Sequence, residues 1–399
     1  MKILVVHEVS YLRKVIYEIH EFPELLALRG HNVTFLEFDE GARPIDLVTA
    51  RDRVIAGRIH PEASIRLLTP HRFGIPQIDR LWAVFSSTPL IYRALRSGKF
   101  DVILNYAVPT FGLQVLFFAK MFRVPVVHRA LDVSSKIRES FWNPLIAVFE
   151  KIVFRFSDLI STNNPSMKHY VLENLKPKYH KKIEVNYPPL DLGIFHRVPS
   201  DLLLRKSLGI SDSDWVIMYM GTFFHFSGLD DVINELANAA DPSVKLLLIG
   251  GGEQEERLRN LVEDYNLGER VIFAGFIEFK ALANYMCLAD VAINPLRNEL
   301  VASAAFPHKV LQYMAVELPV VSTQLAGLYE AFGNSSGILW SKDSRGVLRQ
   351  ALKLRDRSPQ DIKRQVETQH SVLDDLFSTE KTVKSLELCM LRAIREKNK

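Results

Sequence analysis

The stretch FPHKVLQYMAVELPVVST, residues 306 to 323, places His308 and Lys309 directly after Pro307 and ahead of an apolar-periodic run. Proline suits a first helical turn, so the spacing predicts a short helix between two β-branched strands, VAINP and LPVVST. Cations in a first turn oppose the helix dipole, and an anionic ligand would remove that conflict. Phosphates collect at such helix starts along the carboxyl ends of parallel strands. A solvated lysine lying along the helix face is the competing reading, and this stretch alone leaves both open. A second candidate is GTFFHFSG, Gly221 to Gly228, which follows the strand pattern WVIMYMG and could cradle a diphosphate with backbone N–H groups and the Thr222 and Ser227 hydroxyls. His225 and Arg297 are further cations within reach in sequence. In the first half, His128 and Asp132 fall where VPVVHRALD should end a strand. A histidine there is commonly a satisfied structural residue, and its carboxyl-end position is what argues for function. Arg13 and Lys14 follow the first strand, where they either reach an anionic acceptor or diphosphate or are simply solvated.

The elements that must position these groups alternate. KILVVH, HNVTFLEF, IRLLTP, DVILNY and VPVVHRALD read as strands separated by helical patterns, which predicts a doubly wound parallel sheet. After NYPPLDLGIFHRV the alternation starts again with WVIMYMG and the amphipathic LDDVINELANAA. A chain of 399 residues exceeds what a single core sustains, about 250 to 300 residues, so two domains are expected. With 48% hydrophobic and 24% charged residues the composition is that of a folded globular chain. Two cysteines, Cys287 and Cys389, support neither a disulfide framework nor a metal cluster, which points to a reducing compartment. The start MKILVVHEVS reads as a strand rather than a secretion signal, and no apolar run reaches the roughly 18 residues of a spanning helix. Glycines 250 to 252 lack the G-x-G-x-x-G spacing and a suitably placed acidic residue, which excludes a dehydrogenase. Asp212-Ser213-Asp214 has a D-x-D form but reads as a turn, so no metal site is expected.

Net charge is +4, yet residues 51 to 130 carry 12 Lys and Arg against 4 Asp and Glu. RFGIPQIDRLWAVFSSTPLIYRALRSGKF interleaves those cations with large apolar groups, the composition of a helix that could lie on an anionic membrane. Amphipathic core helices with solvated arginines account for the same pattern. No nucleic-acid module accompanies the charge, so nucleic acid is not an expected partner.

FPHKVLQYMAVELPVVST resembles the donor-site motif of glycosyltransferase family 4, P-x-K-x-x-E-Y-M-A-x-G-x-P-V-V. Pro307, Lys309, Tyr313, Met314, Ala315, Pro319, Val320 and Val321 match, Gln312 replaces a glutamate, Glu317 replaces the glycine, and a second family glutamate falls on Ala304. In the family those two carboxylates hold the ribose and a hydroxyl of the donor sugar. The family also carries an arginine after the first glycine and a lysine before the second in the GTFFHFSG loop, where this chain has Thr222 and Ser227. NYPPLDLGIFHRV matches the family's interdomain signature at Asn186, Asp191 and Phe195.

The resemblance implies the α/β GT-B fold, two Rossmann-like parallel-sheet domains facing across a cleft: an acceptor-side domain over 1–195, a donor domain over 196–365, and a tail over 366–399 returning to the first domain. It implies a retaining, metal-independent hexosyltransferase of glycan biosynthesis that uses a nucleotide-diphosphate sugar as donor substrate and needs no cofactor. Lys309, His128 and Asp132 become candidate catalytic residues. Gly221, Thr222, Ser227, Gly228, Gly250, Arg297, His308 and Gln312 become candidate donor-binding residues, and Arg13 and Lys14 candidate acceptor-side residues. The expected acceptor is lipid-linked or a surface glycan, and the expected location is cytoplasmic and peripheral on the inner membrane face. The joint replacement at Thr222, Ser227, Ala304 and Gln312 keeps a rival in view, a non-catalytic subunit of the same fold that binds a partner or a nucleotide.

Overall fold

The computed structural model describes residues 1–39, 51–72, 76–136 and 141–398. The chain divides into two compact units, Met1–Pro189 with Glu380–Lys399, and Leu190–Thr379. The first unit holds β1 (Lys2–Val6), β2 (Asn32–Leu36), β3 (Arg51–Ala56), β4 (Ser64–Thr69), β5 (Val102–Asn105), β6 (Val126–Ala130), β7 (Leu159–Thr162) and β8 (Ile183–Val185). They form one sheet in the order β3-β4-β2-β1-β5-β6-β7-β8. Its inner strands are continuous runs such as ILVV and VILN, because a parallel sheet covered on both faces buries every side chain. Ile3, Val5, Phe35 and Leu104 pack under helix Glu18–Leu28 and the final helix Thr379–Lys397 through Phe22, Leu26, Leu386 and Met390. On the opposite face Leu4, Val6 and Ile103 meet Ile91 and Leu95 of helix Pro76–Gly98 and Val115 of helix Gly112–Met121.

Two departures from the sequence reading are physical. The strand β3 was not anticipated; it pairs antiparallel with β4 at the sheet edge, from Arg51 against Thr69 to Ala56 against Ser64. RDRVIA lacks a simple apolar alternation because its charged residues stand on a half-buried edge. The tail also divides later than the 366 boundary. Helix Pro359–Leu376 stays with the second unit, where Gln369 donates to the Leu318 carbonyl (2.9 Å) and accepts from the Val320 N–H (3.2 Å). Only the following helix joins the first unit. There Glu387 accepts from Arg29 (2.9 Å) and pairs with His31 (2.7 Å), and Lys397 reaches Asp158 (2.8 Å).

The second unit is an all-parallel sheet in the order β11-β10-β9-β12-β13-β14, built from β9 (Trp215–Thr222), β10 (Val244–Gly251), β11 (Val271–Gly275), β12 (Val291–Asn294), β13 (Val320–Thr323) and β14 (Leu339–Ser341). Helix Leu229–Asn238 buries Leu229, Val232, Ile233 and Leu236 against it, the stripe its spacing predicts. The motif helix is shorter than expected, only Lys309–Ala315. Two turns carry a small dipole, so the electrostatic argument made from sequence for Lys309 loses most of its weight. What surrounds the side chain has to decide instead.

Candidate active site

Backbones approach closely where β9 and β10 end. Gly221 has φ +141° and Gly250 φ +121°, and a Cβ on Gly250 would stand 2.2 Å from the Gly221 carbonyl oxygen. That contact requires glycine at position 250 for packing between strands, which explains the residue without any ligand. Tyr313, buried on the motif helix, accepts from the Met220 N–H (2.7 Å) and donates to the Met220 carbonyl (3.2 Å). The helix is thereby tied to the last turns of β9. One turn earlier, Lys309 is carried over the strand end with its Nζ 3.9 Å from the centroid of the Tyr219 ring. It would lie 3.3 Å from a Cβ placed on Gly221. Among the described residues no carboxylate pairs with this ammonium, and burial lowers its pKa to about 7. A partly buried cation that meets only a π face is under-compensated, and an anion arriving there would restore its full charge. Neither tyrosine was assigned a role from sequence, although Tyr313 is one of the matched motif positions.

The other donor-side candidates separate into two groups. Gly221, Thr222, Gly250 and Lys309 meet at the strand ends, with Thr222 opposite Gly251. Gln312, one turn after Lys309, is 6% exposed, and His308 caps the helix start with its carbonyl accepting from the Leu311 N–H. Arg297 lies elsewhere and is saturated: Nη2 donates to Asp230 (2.7 Å) and Asp231 (3.0 Å), and Nη1 to the His225 carbonyl (2.9 Å). Those carboxylates raise its pKa against the opposing cost of burial. Arg297 is therefore a structural clamp and not a spare cation for a diphosphate. His225 is likewise engaged, by Glu253 (3.3 Å) and Glu299 (3.4 Å). Ser227 is buried, and Gly228 starts helix Leu229–Asn238 at φ +69°, where a Cβ would stand 2.0 Å from the Pro295 carbonyl. Both fit the fold of the loop rather than a phosphate cradle. Asp214 closes a turn by accepting from the Ser211 N–H (2.7 Å).

In the first unit His128 is corrected. It sits inside β6, 2% exposed, with Nδ1 3.4 Å from the Asn105 amide and its ring 5.6 Å from Phe154. Burial lowers its pKa to about 4, so it is a neutral core histidine that faces the helix layer. Arg129 beside it is also structural, bidentate to Glu18 (2.6 and 2.9 Å). Asp132, past the strand end, keeps solvent access; desolvation by its surroundings and then the Glu18 carboxylate raise its pKa to about 6. His7, which sequence reasoning passed over, directly follows β1 and lies between Tyr106 (5.3 Å) and Tyr17 (6.5 Å). Arg13 is paired with Asp39 (3.2 Å), and the Lys14 carbonyl accepts from Arg58. Both precede helix Glu18–Leu28 rather than opening it.

Two family descriptions match the chain, "Glycosyltransferase Family 4" over residues 19–193 and "Glycosyl transferases group 1" over residues 201–354. The chain belongs to glycosyltransferase family 4. This glycosyltransferase is 24% identical over 342 residues to N-acetyl-alpha-D-glucosaminyl L-malate synthase of Bacillus anthracis, covering 84% of the chain and 82% of that relative. Its fold is GT-B. The HepE structure from Anabaena in complex with UDP superposes with a TM-score of 0.75 at 17% identity, over 98% of this chain and all 100% of that one. Sucrose-phosphate synthase from Thermosynechococcus elongatus superposes with a TM-score of 0.77 at 17% identity, over 99% and 100%.

Proposed function

We propose that this glycosyltransferase moves a hexose, with retention of configuration and without a metal, from a nucleotide-diphosphate sugar to a lipid-linked or surface-glycan acceptor at the cytoplasmic face of a membrane. One observation carries the donor half of this reading: the Lys309 ammonium stands over the end of β9 among glycines, with a ring beneath it and no counter-charge among the described residues. A leaving diphosphate gains charge as the glycosidic bond breaks, and a fixed cation in a partly dry site stabilises that charge directly. Thr222 would add a hydroxyl donor, Gly221 would leave room for the phosphate oxygens, and His308 and Gln312 would line the same helix face toward the ribose. In the retaining step the acceptor oxygen bonds to the anomeric carbon on the face that the diphosphate leaves. The acceptor proton passes to the departing phosphate oxygen.

Of the two catalytic candidates in the first unit, Asp132 and not His128 is the one placed to act on the acceptor side. A carboxylate that keeps solvent access just past the end of β6 can accept a hydrogen bond from an acceptor hydroxyl and orient it. The family membership and a relative whose printed name is a glucosaminyl transfer to malate support transfer from a nucleotide sugar, and HepE with UDP makes uracil the first base to try. Among the described residues no helix is long and apolar enough to cross a membrane, so membrane contact would have to be peripheral.

The test is calorimetric titration of UDP, GDP and ADP into wild type and Lys309→Ala. Selective binding of one nucleotide, weakened in the variant, is the expected result and identifies the donor class. Absence of binding by all three in the wild type overturns the donor reading and returns the chain to a non-catalytic subunit.

A further inference from the structure

Three neighbouring helices of the first unit, Pro76–Gly98, Gly112–Met121 and Asn143–Phe156, leave apolar side chains in solvent along helical stripes. Leu81 and Phe85 are four residues apart on the first, and Phe117 and Met121 four apart on the second. At the third, Phe141, Leu145 and Val148 continue the pattern. The ring exposures are large: 69% for Phe85, 62% for Phe117 and 91% for Phe141. Single exposed leucines need no explanation, but large rings left in solvent on two packed helices and just ahead of a third are of the kind that marks an interaction surface.

The charge around this patch selects the partner. Arg93, Arg96, Lys120, Arg123, Lys151 and Arg155 are all exposed on or just beyond these helices. The carboxylates of the three helices, Asp79 and Glu150, are both buried and internally bonded. Asp79 accepts from Arg72 (2.8 Å), and Glu150 accepts from the Ser134 N–H (2.9 Å) and the Tyr170 hydroxyl (2.6 Å). A second copy seated on this face by a two-fold axis would bring the cations against themselves. An anionic bilayer meets them with phosphates and accepts the rings at its acyl boundary. Each helix follows a strand at its carboxyl end, so the helix starts, with Phe141 just ahead of the third, lie on the same edge of the sheet as Asp132. Most of the cations lie toward the other end.

We infer that this three-helix face docks the protein on an anionic membrane, with the Phe85, Phe117 and Phe141 rings entering the headgroup boundary and the flanking Arg and Lys residues held by lipid phosphates. The inference rests on the membrane-linked acceptor reading and deepens it by naming the surface. The sequence assigned such a role only to RFGIPQIDRLWAVFSSTPLIYRALRSGKF, residues 72 to 100, within the basic segment 51 to 130. Helix Asn143–Phe156 and the residues just ahead of it supply a large part of the exposed face.

Sedimentation with phosphatidylcholine vesicles, alone and with added phosphatidylglycerol, tests it on the full chain. Wild type is expected to pellet with the anionic vesicles and to be partly released by salt. Phe85→Ser with Phe117→Ser should weaken vesicle binding by roughly a hundredfold, because each buried ring accounts for about a tenfold factor. Lys151→Glu with Arg155→Glu should weaken it most at low salt. Thermal unfolding should be unchanged in both variants, since the altered side chains are exposed. Wild type remaining in the supernatant with anionic vesicles overturns the proposal. So does gel filtration showing a dimer that Phe85→Ser with Phe117→Ser splits, without vesicle binding. Nucleotide titration of the same samples keeps the two readings apart: a wild type that pellets but binds no nucleotide loses the donor reading alone, and one that binds nucleotide but does not pellet loses this inference alone.

Discussion

The second unit contains two basic side chains that sequence reasoning assigned to the same ligand, and the fold treats them in opposite ways. Arg297 has two carboxylates and a carbonyl arranged around its guanidinium. Lys309 has a tyrosine ring and glycines, and no carboxylate among the described residues. The pKa directions follow from these surroundings, raised for Arg297 by Asp230 and Asp231 and lowered for Lys309 by desolvation. A cation with its charge already answered stabilises the resting fold, and one left unanswered is held ready for something that arrives. The difference lies in the partners and not in the residue types, which is why composition could not separate them.

The largest expected effects come from exchanging each cation for an apolar group. Lys309→Met should cost about 1.5–3 kcal/mol of nucleotide affinity, roughly tenfold to a hundredfold, while leaving the melting temperature of the unliganded protein unchanged or higher. Arg297→Ala should do the reverse. It takes from Asp230 and Asp231 the guanidinium they share, with an expected loss of about 1–3 kcal/mol of stability and nucleotide affinity within about twofold of wild type once folded. Denaturation and calorimetry on both variants decide the matter. If Lys309→Met melts as early as Arg297→Ala, Lys309 is structural and the contrast collapses.

A smaller effect is expected from pH. The ammonium form of Lys309 is the one that attracts a diphosphate, and its pKa of about 7 means that it is charged below that value and must take up a proton above it. Affinity should therefore fall as pH rises from 7 to 9, at most about tenfold per unit, with net proton uptake on binding. The same lowered pKa destabilises the unliganded fold fully below about 7, and that cost is relieved as pH rises toward the unfolded value of 10.5. Titrations at pH 7, 8 and 9 on wild type and Lys309→Met check this, because titration of the nucleotide's own phosphate is common to both proteins. An equal slope in the two removes Lys309 from the binding step.

Much of the architecture was legible because parallel strands buried on both faces are written as short β-branched runs, and helix Leu229–Asn238 shows its buried stripe in its spacing. The position of Lys309 was legible through its motif. The error at His128 has the same origin as that success: in VPVVHRALD every residue of the strand is buried, so nothing local tells whether the strand ends at His128 or two residues later at Ala130. The partners of Arg297 and Arg129 lie 66 and 111 residues away, and no local pattern encodes such pairs. The Tyr219 ring beneath Lys309 is invisible for the same reason. Residues 73 to 75, within the basic stretch read for membrane contact, lie outside the described residues.

The smallest and most discriminating change is Gln312→Glu, which installs the carboxylate that the family motif carries at this position. Gln312 is buried on the same helix three residues after Lys309, a spacing that puts the two side chains on adjoining parts of one face. Two effects act in the same direction. A carboxylate accepts ribose hydroxyls with charge assistance, and it also raises the Lys309 pKa, which keeps the ammonium charged to higher pH. Both favour a nucleotide so long as the ammonium stays turned toward the diphosphate, and we expect a two- to threefold gain for the bound nucleotide, roughly 0.5 kcal/mol, with the fall in affinity displaced to higher pH. Should the new carboxylate instead capture Lys309, affinity would drop, the pH dependence would flatten, and the variant would have placed Lys309 in the condition of Arg297. Either result measures what the missing counter-charge is worth to the resting site.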